Sequence, residues 1–393
     1  MPDTLSRLGL RRMTARDADQ HHRVASPLEL LFDLVFVVAV SQASQNLHHL
    51  ISEDHTGQGV LAYLMVFFAV WWVWMNFTWF ASAFDTDDWL YRVLTIAQMG
   101  GVLVLAAGVH AAMVDFDFVV VTWGYVIMRL AMVAQWLRAA ASDPASRRTA
   151  LRFAVGIAIV QVLWVARLYL LDGALEFWSF FVLVALELLV PVWGESAGRT
   201  TWNPHHIAER FGLFTLLLLG ESLLASANAL FDALGEGEHV GELIGLGVSG
   251  LVITAGIWWV YFAREQHGRL RGMTAGFRFG YLHYVIFAAV GAVSAGVEVE
   301  IDEITGHAHV SEVIAGLSLT LPVAIVVLSS WIILLRTKIA PWASALVVLG
   351  AVLIALAGLL PEGEYAATAV LLAAVVIVIE VDAVRRARSV SPV

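Results

Sequence analysis

Twelve apolar stretches, each long enough to cross a bilayer core of ~30 Å, leave this chain little alternative to a bundle of membrane helices. They fall at residues 28–47, 59–80, 90–112, 117–139, 149–171 and 176–193, then at 206–231, 241–263, 276–297, 310–335, 340–360 and 364–384. Of the 393 residues, 60% are hydrophobic and 14% charged, against about 45–50% and 25% in soluble domains. The expected fold class is an all-α polytopic membrane protein of about twelve transmembrane helices.

The placement of charge tests that count independently. The connections after segments 1, 3, 5, 7, 9 and 11 contain no Lys or Arg and carry Glu53, Asp54, Asp115, Asp172, Asp232, Glu236, Glu238, Glu298, Glu300, Asp302, Glu303, Glu362 and Glu364. The opposite side holds an arginine-rich N-terminal tail, Arg92, Arg138, Arg147, Arg148, Arg152, Arg199, Arg264, Arg269, Arg271, Arg278, Arg336, Lys338, Arg385, Arg386 and Arg388. One miscounted helix would invert the pattern downstream. By the positive-inside rule both termini are expected in the cytoplasm. The net charge of −10 therefore reads as orientation, and 22 arginines against the single Lys338 as compositional bias; nothing calls for nucleic acid. With no cysteine in the chain, disulfides, thiolate zinc, Fe–S clusters and thiol catalysis are excluded.

Arg7, Arg11, Arg12, Arg16 and Arg23 precede the first apolar run, as in a signal peptide. That run is too long and contains Glu29 and Asp33, so it reads as a retained first helix behind a short mobile tail.

The two halves echo each other. Trp71-Trp72-Val73 matches Trp258-Trp259-Val260, Tyr91-Arg92 matches Phe277-Arg278, and Leu137-Arg138 matches Leu335-Arg336. Glu187 matches Glu380 and Glu29 matches Glu209, all at spacings between 180 residues (29 to 209) and 198 residues (137 to 335). A tandem duplication of six helices keeps both halves in one orientation, the parallel repeat of some transporters. The expected organisation is a basic cytoplasmic tail (1–27), a first six-helix half (28–198), a second (199–384) and a C-terminal tail (385–393).

Ionisable residues inside apolar segments are the candidate site, because charge in hydrocarbon is costly and must face protein or water. Segment 1 opens Ser26-Pro27-Leu28-Glu29-Leu30-Leu31-Phe32-Asp33, with Glu29 and Asp33 one turn apart on one face. Segment 7, HHIAERFGLFTLLLLGESLLASAN from His205, places His206, Arg210, Leu217, Glu221 and Asn228 on one narrow face, with Glu209 beside it. The plain alternative for these charges is structural: dipole complementarity at helix starts and a Glu–Arg pair locking helices together. Arg129 lies about 18 Å into segment 4, where a carboxylate partner is expected from Glu187 or Glu221. Arg167, near a membrane end, is expected to snorkel. His283, Gln98, Gln161 and Asn76 read as ordinary interhelical hydrogen-bonding residues.

Glu29, Phe32 and Asp33 in segment 1, with His206, Glu209, Arg210, Phe211, Gly212, Gly220, Glu221 and Ser222 in segment 7, resemble the bacterial low temperature requirement A (LtrA) family. Its pattern is an E-L-F-F-D-L-V-F-like opening and a later H-x-x-E-R-F-G…G-E-S helix; Leu31 departs where the family often has Phe. The resemblance spans essentially the whole chain. It implies a multipass inner-membrane protein associated by name with growth in the cold, and carries no biochemical activity.

Other chemistries find little footing. His48-His49 and His307-x-His309 are expected in outer loops without compelling metal-ligand spacing, His110 and His283 form no paired haem arrangement, and Gly245-x-Gly247 lies inside a membrane segment rather than after a strand. The Trp-rich run Trp71–Trp79 reads as packing and interfacial belt. The preferred functional expectation is a secondary transporter of a small solute, with proton coupling as an option. Glu29, Asp33, Arg129, Glu187, His206, Glu209, Arg210 and Glu221 are the path candidates, with Glu221 or Glu187 taking the proton and Arg129 or Arg210 as its cationic partner. Against it, Pro191 and Pro322 do not occupy matching positions in the two halves. The alternatives are an intramembrane enzyme acting on lipid, with His206 and Glu209 as acid and base, and a non-catalytic membrane-adaptation scaffold. No cofactor or metal is called for, and partners are the lipid bilayer and, on the transporter reading, a small solute or proton.

Overall fold

The computed structural model describes residues 9–17, 24–266, 270 and 272–390. Arg7, Arg23, Arg269 and Arg271 lie outside the described residues. Twelve long helices follow among those described: α1 (Pro27–Ser52), α2 (Thr56–Phe84), α3 (Trp89–Val114), α4 (Val119–Ser142), α5 (Arg147–Leu170), α6 (Gly173–Glu195), α7 (Pro204–Glu236), α8 (Val240–Phe262), α9 (Met273–Ile304), α10 (Glu312–Ser330), α11 (Pro341–Ala357) and α12 (Glu364–Val390). A π-helical turn, Trp331–Leu335, extends α10. Eleven are long and apolar enough to cross a membrane; α11, with 17 residues, rises only about 26 Å. Many large apolar side chains remain exposed, among them Leu30, Leu34, Leu103, Val162, Leu224 and Val248, as lipid contact requires. The protein is a multipass α-helical membrane protein.

The helices outrun the apolar stretches, and this corrects several expectations. His48 and His49 belong to α1, and Glu298, Glu300, Asp302 and Glu303 to α9, not to loops. The intervening Val297, Val299 and Ile301 are buried, so the helix continues past the point where hydropathy falls.

The chain divides into two compact units. One comprises the described residues through Ala39 with Phe68–Phe211; the other comprises Val40–Phe67 and the described residues from Gly212 onward. Helices α1, α2 and α7 contribute to both.

In the first unit α3 and α4 approach almost backbone to backbone. A Cβ on Gly124 would stand 2.4 Å from the Leu105 nitrogen, and one on Gly101 2.8 Å from the Gly124 oxygen. Because lipid supplies no hydrophobic drive between helices, such small-residue seams hold membrane bundles together. Trp136 of α4 stacks on Phe153 of α5 with centroids 4.3 Å apart, and Phe80 and Phe84 of α2 abut its edge. In the second unit α9 meets α10 similarly: a Cβ on Gly296 would fall 2.5 Å from the Ser318 oxygen.

The segment expected as a mobile tail is docked where it is described. Met13 is buried, Arg11 N–H donates to Asp88 (2.9 Å), and Arg16 donates through both its backbone N–H, to Ala83 O, and its guanidinium, to Asp85 (3.0 Å). Arg11 and Arg16 of the tail thus find acids at the ends of α2 and α3. Asp88 is the hub: it caps α3 through Tyr91 N–H (3.0 Å) and accepts from Arg138. Although its partial burial opposes ionisation, Arg138 and the Tyr91 and Arg11 N–H groups hold the carboxyl below its ordinary value. A depressed folded-state pKa gives stability that is present above the unfolded value of about 3.9 and lost as pH falls through the folded one. Asp88→Asn should therefore lower the melting temperature at pH 7 and flatten its fall between neutral and strongly acidic pH, which thermal melts in detergent will read.

Candidate functional site

The N-terminal turns of α1 and α7 are built alike. Ser26 and Glu29 form a reciprocal capping box, Ser26 N–H donating to Glu29 Oε2 (2.7 Å) and Glu29 N–H to Ser26 Oγ (3.3 Å). Asn203 Oδ1 caps α7 by accepting from His205 and His206 N–H (2.9 and 3.1 Å). Pro27 and Pro204 occupy the first helical positions, where the missing N–H costs nothing.

Aligned cap on cap, Glu29 corresponds to His206 and Asp33 to Arg210, and these pairs meet. His206 Nε2 stands 3.1 Å from Glu29 Oε1. Arg210 lies between the two acids: Nη1 is 3.0 Å from Glu29 Oε1, while Nη2 and Nε donate to Asp33 at 2.5 and 3.0 Å. Trp74 of α2 donates its indole N–H to Asp33 Oδ1 (2.6 Å). Glu29, Asp33, His206 and Arg210 are all about 99–100% buried. A guanidinium held by two carboxylates satisfies the low-dielectric demand for pairing, and four motif residues from two distant stretches of sequence close into one cluster.

Arg129 forms the second buried pair, and its partner is Glu187 (2.7 Å). Glu187 also accepts from Tyr125 OH (2.8 Å), Trp72 Nε1 (2.9 Å) and Gln161 Nε2 (3.0 Å), so four donors from α2, α4 and α5 converge on one α6 carboxylate. Arg129 Nε and Nη1 are buried without a hydrogen-bond partner among the described residues.

The remaining candidates stand apart from these clusters. Glu209 is half-buried and accepts from Ala25 N–H (3.4 Å). Glu221, in the second unit, is half-buried and makes no hydrogen bond or ion pair among the described residues. His206, which the enzyme alternative pairs with Glu209 as acid and base, is fully enclosed. Arg167 does not snorkel: it is 3% exposed, surrounded by Phe118, Trp164 and Phe180, and donates to the Glu176 carbonyl (2.9 Å). Cation–π contact and a nearby acid replace the water it would have reached.

Sequence reasoning missed the donors. Trp72 and Trp74 read as packing, yet each hydrogen-bonds a buried carboxylate; nothing in the run marks these two out from Trp71 and Trp79. It also missed Asp382 in the second unit, buried and accepting from Ala340 N–H (3.0 Å) beside Arg386 (2.9 Å), and His48, whose ring lies between Glu298 (3.2 Å) and Asp302 (2.6 Å). His283 is an ordinary hydrogen-bonding residue as expected, bonded to Phe279 O and Tyr261 OH.

A multipass helical protein with ion pairs sequestered among its membrane helices is the class this arrangement defines. The chain belongs to the bacterial low temperature requirement A protein (LtrA) family, whose sequence model matches residues 24–381. It is also 30% identical over 290 residues to a protein of Rhizobium meliloti (strain 1021) described as uncharacterized, the alignment covering 68% of each chain.

Proposed function

We propose that the protein is a secondary transporter of a small solute, coupled to protons through the Glu29–Asp33–His206–Arg210 cluster. One observation carries the reading: the cluster holds two carboxyls and one guanidinium, so electroneutrality requires one further proton, and His206 beside Glu29 (3.1 Å) is where it is held. Loss of that proton leaves a net charge in a fully buried site, a state that favours rearrangement or solute entry. Glu187, with four donors already on it, serves as a fixed lock rather than the carrier, while the unpartnered Glu221 lines the path further along α7.

A 6+6 parallel repeat supports the same reading. The caps of α1 and α7 share one layout, and Trp72–Glu187 in α2 and α6 is matched by Trp259–Glu380 in α8 and α12, both at 2.9 Å. The tight glycine seams also fall on equivalent helix pairs, α3–α4 and α9–α10. The charge alternation supports cytoplasmic termini in the bacterial inner membrane.

Proton flux into proteoliposomes, read by an internal pH dye against a panel of metabolites and ions, is expected to depend on one solute in wild type. In His206→Gln that flux should vanish and the melting temperature should fall, because the cluster keeps an uncompensated charge; Glu221→Gln should reduce the flux. Unchanged coupled flux in a folded His206→Gln protein would sink the assignment.

A further inference from the structure

The second unit carries a groove of about 540 Å³, lined by α1, α2, α9 and α10 through residues of that unit alone. Ala288 and Ala292, one turn apart on α9, leave it hollow, and exposed Val60, Leu64, Leu321 and Ile325 form its lips. The groove offers a solute almost nothing polar. Tyr63 OH donates to Ala288 O and Tyr284 OH to Leu64 O, each at 2.8 Å, so the two phenols cross-brace α2 and α9. Ser318 Oγ turns back onto Ala315 O (2.6 Å). A polar solute needs convergent polar groups to orient it; this lining suits hydrocarbon.

The dimensions are those of one lipid chain. Along α10 the groove runs from Ile314 to Ile325, about 16 Å at 1.5 Å per residue, or half of a ~30 Å hydrocarbon core. A methylene fills about as much space as a water molecule, ~30 Å³, so the volume takes about 18 carbons. One end opens where charge is one-sided. Ile51 and Thr56 line the groove on either side of Glu53 and Asp54, and Ile314 lies just past Glu312; all three acids are exposed. Residues 47–91 and 279–335 contain no Lys or Arg. The bases near this end are His48, already held by Glu298 and Asp302, and His49, His55, His307 and His309. The Thr56 hydroxyl there is buried without a hydrogen-bond partner among the described residues. An anionic headgroup would meet like charge at this rim, whereas an ammonium meets carboxylates and an ester oxygen can accept from Thr56.

We propose that the groove is a binding site for one phosphatidylethanolamine from the leaflet on the arginine-free side. One acyl chain lies in the groove and the ammonium stands against Glu53, Asp54 and Glu312. The test requires no transported solute. Delipidated protein in detergent at pH 8 is titrated with palmitoyl-oleoyl phosphatidylethanolamine, the matching phosphatidylglycerol, or oleate, and read by thermal melts and native mass spectrometry. Phosphatidylethanolamine should bind as one equivalent per chain and raise the melting temperature saturably, by on the order of 2–4 °C. Phosphatidylglycerol should need at least fivefold more lipid for half the shift. Ala292→Phe fills the hollow and should lose both the bound equivalent and the shift. Combined Glu53→Gln, Asp54→Asn and Glu312→Gln changes only exposed side chains, and Asn tolerates the positive φ of Asp54 (61°). That variant should fold as wild type and bind the two phospholipids alike, which decides the headgroup whether or not Ala292→Phe folds. No saturable phosphatidylethanolamine shift, equal binding of phosphatidylglycerol by wild type, or a full effect from oleate would overturn the site. So would a headgroup preference kept in the rim variant, or an undiminished equivalent in folded Ala292→Phe.

Discussion

Arg210→Met is expected to be among the most damaging single substitutions in the membrane region, costing roughly 3–5 kcal/mol. The side chains are similar in length, so packing is largely retained and the loss is one of charge. Glu29 and Asp33 would remain buried with the Ser26 N–H, His206 and Trp74 to meet them, and two carboxyls would share one titratable partner. Asp33→Asn combined with Arg210→Met removes one charge of each sign and should recover part of the loss. Thermal melts in detergent, with expression measured by fluorescence-detected gel filtration, check both. A melting temperature for Arg210→Met within a degree or two of wild type would mean that the cluster is solvated rather than sealed.

The second large effect is expected at Arg129 and Glu187. Glu187→Leu strands a guanidinium whose Nε and Nη1 already lack partners, and Arg129→Leu strands a carboxylate held by three neutral donors. Each should cost about 3–5 kcal/mol, the former more because no acceptor is left for the cation. Replacing both by leucine should be far milder than either alone, since an apolar pair of similar volume avoids the desolvation of two ions. A double-mutant cycle on melting free energies measures the coupling. Additive costs would exclude a direct buried pair; near-wild-type flux in the double variant would identify it as a lock without a part in transport.

Much of this architecture is legible in the residues because the bilayer imposes length and charge rules that leave traces in one dimension. Segment count follows from hydropathy, and the charges of α1 and α7 stand out against apolar neighbours. Partnership leaves no such trace. His206 and Arg210 share a face in sequence, but nothing in that face says that Glu29 and Asp33 lie opposite, 177 residues away in each case (29 to 206, 33 to 210). Glu209, which echoes Glu29 in the sequence, lies three residues beyond His206, the residue at the same distance from its helix cap. Tryptophan hid its role, since one N–H on a large apolar ring reads as packing. Helix ends were misjudged wherever acids alternate with buried aliphatics, as in Glu298–Asp302: mean hydropathy averages two faces that the fold treats separately.

The shortness of α11 has a mechanical consequence. A helix several ångströms shorter than the hydrocarbon around it is met by locally thinned lipid, at fractions of a kcal/mol for each ångström of mismatch. Ordered acyl chains are longer than fluid ones, so the deformation around Pro341–Ala357 grows as the bilayer stiffens. α11 packs against α10 and α12, so membrane thickness presses on the second unit at the seams with those two helices.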